Sequence, residues 1–103
     1  MLVVNRFRVS ADAAEFRAGL EAALAVLSAQ KGYVDGHVGR NVDDPELWVL
    51  QTVWEGPGAY RRALSAYDVK LQAWALLGQA IEEPSAYELV EPGTPMNEAQ
   101  PRG

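Results

Sequence analysis

No cysteine occurs in the chain, and histidine occurs once, as His37. The first absence excludes disulfides, thiolate nucleophiles and cysteine-type zinc sites, and it fits a reducing compartment. The second argues against a transition-metal centre, which draws on two or more nitrogen or sulfur ligands. No metal and no cofactor is therefore expected. A basic stripe is missing too. The net charge is −5, and the imbalance is local: residues 1–81 hold 9 acids and 8 bases, whereas residues 82–103 hold 5 acids and only Arg102. A near-neutral body with an acidic end offers nothing to a phosphate backbone, so nucleic acid is excluded as a partner. No apolar run is long enough to span a bilayer, and the start, Met1 to Arg6, reads as a strand rather than a signal peptide. The expectation is a cytoplasmic protein with no membrane partner. Phosphate-binding glycine loops, G-x-S-x-G, H-E-x-x-H and dinucleotide fingerprints are all absent.

What is present is an ordinary globular composition, 49% hydrophobic and 22% charged over 103 residues. That length allows one domain with one core, small enough for association to add useful burial. Leu2–Val9 alternates as a strand, with Val3, Asn5, Phe7 and Val9 on one face and Leu2, Val4, Arg6 and Arg8 on the other. Ser10 or Asp12 offers a helix N-cap, and Phe16, Leu20, Ala23, Leu24 and Leu27 form a helical stripe running to Gln30. Lys31-Gly32 ends it.

A second strand is expected over Tyr33–Val42, with Val34, Val38 and Val42 opposite Tyr33, His37 and Asn41. Asp43-Asp44-Pro45-Glu46 is a turn. Leu47–Trp54 is the strongest strand and is apolar on both faces, which requires cover on both sides. From Pro57, Tyr60, Leu64, Tyr67, Leu71, Trp74 and Gly78 keep helical spacing to about Ile81, with a candidate break at Ser65-Ala66. A linker at 82–85, a last strand over Ala86–Glu91 and a flexible polar tail over 92–103 complete the chain, making residues 1–91 the domain.

The order β-α-β-β-α-β implies an α+β, ferredoxin-like fold: a four-stranded antiparallel sheet with both helices on one face. The other face is apolar apart from Arg6, Arg8, Arg40 and Gln51. A second copy of the chain, sheet against sheet, is its expected cover; a monomer would need a wetter face.

Certain residues also carry a family likeness. Val3-Val4-Asn5-Arg6-Phe7, Lys31-Gly32-Tyr33, and Leu50-Gln51-Thr52-Val53-Trp54-Glu55 followed by Tyr60 resemble the antibiotic biosynthesis monooxygenase family of dimeric α+β barrels over roughly residues 2–91. The resemblance implies a homodimer and, in one branch, cofactor-independent oxidation of polycyclic aromatic or quinone-like compounds. That branch has a tryptophan and a tyrosine matching Trp54 and Tyr60. Its strand asparagine and helix base fall near Leu50 and Trp74, which do not match. The haem-degrading branch shares Asn5 but places its histidine on the second helix, near Ala63 and Ala73, so haem turnover is not expected.

Six residues are candidates. Asn5 is an amide among apolar neighbours, either bonded structurally or aimed into a pocket to hold a carbonyl or O₂. His37 is either a general base or a residue of the subunit contact. Tyr60 is the alternative proton-handling group. Trp54, Tyr67 and Trp74 are either core or the walls of a site for a flat aromatic substrate. The class-level alternative is a non-catalytic dimeric barrel that binds a hydrophobic ligand or a protein partner.

Overall fold

The computed structural model describes residues 1–93, 95 and 96. Alternation in the first segment gives strand β1 (Leu2–Arg8), whose Val3 and Phe7 are fully buried. Asp12 starts helix α1 (Ala13–Ser28), its carboxylate accepting hydrogen bonds from the Ala14 and Glu15 amides at 2.9 and 3.3 Å. Leu20, Ala23, Val26 and Leu27 bury the inner stripe of that helix.

Strand β2 (Tyr33–Arg40) and strand β3 (Leu47–Trp54) follow, joined by a turn in which the Asn41 side-chain oxygen accepts from the Asp43 and Asp44 amides. The last strand, β4 (Ala86–Tyr87), is only two residues long. The sheet order is β2-β3-β1-β4, all antiparallel, the arrangement expected of a ferredoxin-like α+β fold. Strand β3 is paired along both edges. Its inward row, Trp48, Leu50, Thr52 and Trp54, is buried throughout.

Three expectations are corrected. The first concerns β2, where a bulge between Tyr33 and Asp35 shifts the register, so that Tyr33 opposes Trp54 while Gly36 opposes Thr52. Tyr33 therefore joins Val38 on the helix side, and Val34 is 58% exposed instead of sharing that face. A Cβ on Gly36 would stand 2.6 Å from the Tyr33 hydroxyl oxygen and 2.8 Å from Leu24 Cδ1, so the tucked tyrosine requires glycine there. Val42 lies outside the strand and is exposed. Arg40, too, opposes Trp48, with its guanidinium 5.0 Å from that ring's centroid, and does not interrupt the outer face.

The second concerns the helix from Pro57: the candidate break at Ser65-Ala66 is present, and the segment is divided further than expected, into α2 (Pro57–Ser65), α3 (Tyr67–Gln72) and α4 (Trp74–Leu77). Ala66 is extended (φ −67°, ψ 139°), and the Ser65 hydroxyl turns back to donate to the Arg61 carbonyl. The break reorients everything after it. The buried residues are Ala59, Ala63, Val69 and Ala73, whereas Tyr67, Leu71 and Trp74 are 75%, 68% and 51% exposed. Alanine allows α2 a close approach. Gly32, at φ +91°, is the contact point, since a Cβ there would collide with that of Ala59.

The third is the last strand, which stops at Tyr87 rather than Glu91. The preceding segment is held against β1 instead: the Ile81 amide donates to the Arg6 carbonyl, the Val4 amide to the Ser85 carbonyl, and Arg6 pairs with Glu83 at 2.6 Å. Of the tail expected over 92–103, positions 94 and 97–103 lie outside the described residues. Leu2, Val4, Val49, Gln51 and Val53, all only half-buried, make up most of the sheet face away from the helices, beside an exposed Tyr87. Among the described residues no helix is long and apolar enough to cross a membrane.

Candidate active site

Asn5 lies at the centre of β1, on the same side as Val3 and Phe7, opposite Leu50 of β3. An amide in that apolar row needs a partner. Tyr60, from the first turn of α2, brings its phenol beside that amide, whose influence on the phenol favours the phenolate. Trp54 closes the site from the end of β3. Its ring centroid is 5.4 Å from that of Tyr60 at 52° and 5.5 Å from that of Tyr33 at 86°. The Trp54 backbone is fixed on both sides by exchange of 2.8 Å hydrogen bonds with Met1. Its indole N–H donates to Thr52 Oγ1 at 2.8 Å, inside the core.

The electrostatics of this group are set by burial. Desolvation raises the Tyr60 phenol above the ordinary tyrosine value of 10.0, and the neighbouring Asn5 amide, which favours the phenolate, only partly opposes it. Tyr60 is thus protonated at neutral pH and acts as a hydrogen-bond or proton donor. Asn5 supplies an amide donor beside it. Two neighbouring donors against aromatic and aliphatic walls form an environment suited to an oxygen that gains negative charge.

The other candidates are elsewhere. His37 opposes Gln51 on the outer side of the sheet, 70% exposed at its side chain and 3.3 Å from Asp35 Oδ2, so the sheet separates it from Asn5 and Tyr60. Tyr67 and Trp74 are on the outside of the helical layer because of the Ala66 break. Trp74 donates its indole N–H to the Leu64 carbonyl at 2.8 Å, and the Lys70 ammonium is 5.2 Å from its ring centroid. Of the six residues, the fold gathers three: Asn5, Trp54 and Tyr60. Two others belong with them. Thr52 shares the inward face with Trp54 by simple alternation, a signal present in the sequence, whereas Tyr33 is brought in by the bulge, which alternation hides.

A separate depression of about 290 Å³ opens between α1, α4 and the end of β1, lined in part by Val9, Asp12, Glu15, Phe16, Leu76 and Gln79. Its floor joins the edge-to-face stack in which Phe16 contacts both Phe7 and Trp48. Among the described residues no group of three or more His, Cys, Asp or Glu is placed to hold a metal ion.

This architecture, an antiparallel ferredoxin-like sheet with its helices on one face, has known counterparts. The antibiotic biosynthesis monooxygenase family model matches residues 1–70, and the chain belongs to that family. SnoaB, a cofactor-independent oxygenase from Streptomyces nogalater, is 28% identical and superposes with a TM-score of 0.74, over 90% of this chain and 96% of that one. A mutant of SnoaB is 31% identical over 78% of this chain and 82% of its own, with a TM-score of 0.69. A conserved protein from Methanosarcina mazei shares the fold at 17% identity and a TM-score of 0.67, over 82% and 84% of the two chains. No functionally curated protein matches the chain.

The raised phenol makes a pH prediction. A tyrosine whose folded-state pKa exceeds its unfolded value stabilises the fold fully below the unfolded value, and this contribution is lost as pH rises through the folded value. Tyr33 is raised in the same way, by burial first and by Asp35 second. Thermal stability should therefore fall with increasing pH above about 10, and less steeply in Tyr60→Phe. Melting curves across the alkaline range check this; an identical slope in Tyr60→Phe would remove Tyr60 as a source.

Proposed function

We propose that the chain is a cofactor-independent monooxygenase acting on a polycyclic aromatic or quinone-like compound, with Asn5 and Tyr60 as its polar centre. The observation that carries this reading is the placement of Asn5 beside Tyr60, an amide and a protonated phenol set together in an otherwise apolar site. Similarity to SnoaB, itself a cofactor-independent oxygenase, supports the reaction class.

The chemistry asks for binding, deprotonation and exclusion of bulk water. An electron-rich phenol or anthrone, once ionised, can pass one electron to O₂; the resulting substrate radical and superoxide combine as a peroxide, and loss of water leaves a new carbonyl. Two donors at the substrate oxygen stabilise the anion and so favour its formation. Tyr60, protonated at neutral pH, can also supply a proton to the departing peroxide oxygen. Trp54 serves as a wall. Because its N–H is spent on Thr52 and it is 1% exposed, it shapes the site from behind rather than stacking freely on a ring. That burial is also what favours the rival reading, a barrel that binds a hydrophobic ligand without turning it over.

Oxygen uptake with a panel of hydroquinones and anthrones, with metals chelated, separates the two. The wild type should consume O₂, and Asn5→Ala should lower the rate by about 100-fold, the scale for losing one oxyanion donor. Uptake indifferent to Asn5→Ala would reject that role for Asn5, and no uptake with any substrate would favour the binding protein.

The proposal includes a homodimer. The outer sheet face, with Leu2, Val4, Val49, Val53 and Tyr87, is self-complementary in character, and a second copy would cover it. Asn5 and Tyr60 lie on the helix side, so each subunit would carry its own polar pair. Sedimentation at micromolar concentration should give twice 11.2 kDa, and a clean monomer would contradict the pairing.

A further inference from the structure

Thr52 is the one buried polar or charged residue among the described residues, at 1% exposure. A valine would have the same shape and would suit the surrounding core better. The hydroxyl has a specific use: it accepts the Trp54 indole N–H at 2.8 Å, with both groups out of water. Because the two residues are one pleat apart on the same face of β3, the bond is short-range and stiff, and the β-branched threonine has little freedom to turn away.

That bond has a geometric consequence. An indole is asymmetric, so turning its plane over would carry the N–H away from Thr52 and present a different edge to its neighbours. With the N–H on Thr52, the ring meets Tyr33 edge-on and Tyr60 at a tilt, each within 5.5 Å between centroids. Tyr60 is thereby held between the indole and Asn5.

We propose that Thr52 is a positioning residue for Tyr60: its hydroxyl fixes the orientation of Trp54, and Trp54 holds the Tyr60 ring in place beside Asn5. The proposal rests on reading Asn5 and Tyr60 as the polar centre of the site, but not on which reaction occurs there. Thr52 touches no substrate in this scheme. It acts two contacts away, through the indole.

The test needs no substrate. The Tyr60 phenol is titrated by its ultraviolet phenolate band, isolated as the difference between each protein and the same protein carrying Tyr60→Phe. In Thr52→Val the released indole no longer presses Tyr60 into its dry position, water reaches the phenol, and the midpoint should move down toward that of an ordinary tyrosine. Thr52→Ser keeps the acceptor and should titrate as the wild type does. A lower melting temperature in Thr52→Val with the Tyr60 midpoint unmoved would overturn the proposal, leaving Thr52 a structural residue only. Should Thr52→Val fail to fold, Trp54→Phe carries the test, because removing the indole must shift the same midpoint; an unmoved midpoint there overturns the proposal equally. An active oxygenase with an unmoved midpoint would reject the positioning role alone, whereas a shifted midpoint without oxygen uptake would reject only the oxygenase.

Discussion

Everything in this fold is arranged around the inward row of one strand. Trp48, Leu50, Thr52 and Trp54 of β3 are all buried, and β3 is hydrogen-bonded along its whole length on both edges. Two tryptophans in that row demand large apolar partners, and they find them at opposite ends: Phe16 with Phe7 at one, Tyr33 with Tyr60 at the other. Fully burying a large apolar side chain is worth roughly 1.5–3 kcal/mol over leaving it exposed, so this row contributes substantially to the stability of the fold. The helices are positioned by it. Helix α1 brings Phe16 to Trp48, and α2, made slim by Ala59 and Ala63, brings Tyr60 to Trp54.

Polar groups enter that dry interface at two places, and the fold resolves each differently. Thr52 and Trp54 satisfy one another, which turns a hydroxyl in the core into a lock on a ring. Asn5 and Tyr60 stand beside one another, and both are only half-buried, so a ligand oxygen can reach either. The distinction matters because leaving a buried donor without a partner costs about 1–3 kcal/mol. In the core the pair is closed for good; at the edge of the core it stays open to a ligand.

Much of this was legible in the residues. The two-sided apolarity of Leu47–Trp54 gave away the central strand, the stripe from Phe16 to Leu27 a helix, and the element order the sheet topology. Asn5 stood out as an amide in an apolar row, and Trp54 with Tyr60 through family likeness. Two local events were not legible. The bulge after Tyr33 depends on Gly36 leaving room for a tyrosine ring, which is a matter of three-dimensional clearance rather than alternation. The helix does divide at the candidate break, Ser65-Ala66, but the reorientation beyond it occurs in a run without glycine or proline between Ala59 and Leu77, where helical spacing continues on paper. That reorientation moved Tyr67 and Trp74 from the expected interior to the surface. For His37 alternation left two readings open, a general base or a residue of the subunit contact, and its place on the outer side of the sheet agrees with the second.

The central claim is that a flat aromatic ligand enters beside Asn5 and Tyr60, and the most direct test is a nuclear magnetic resonance titration with a hydroxyanthraquinone. Such a compound resembles an oxidised product and does not consume O₂. Saturable shifts of the Asn5 carboxamide, the Tyr60 ring and the Trp54 indole N–H are the predicted result. Shifts confined to the exposed Tyr67, Leu71 and Trp74, or to the depression beside Phe16 and Leu76, with Asn5 and Tyr60 unmoved, would contradict it.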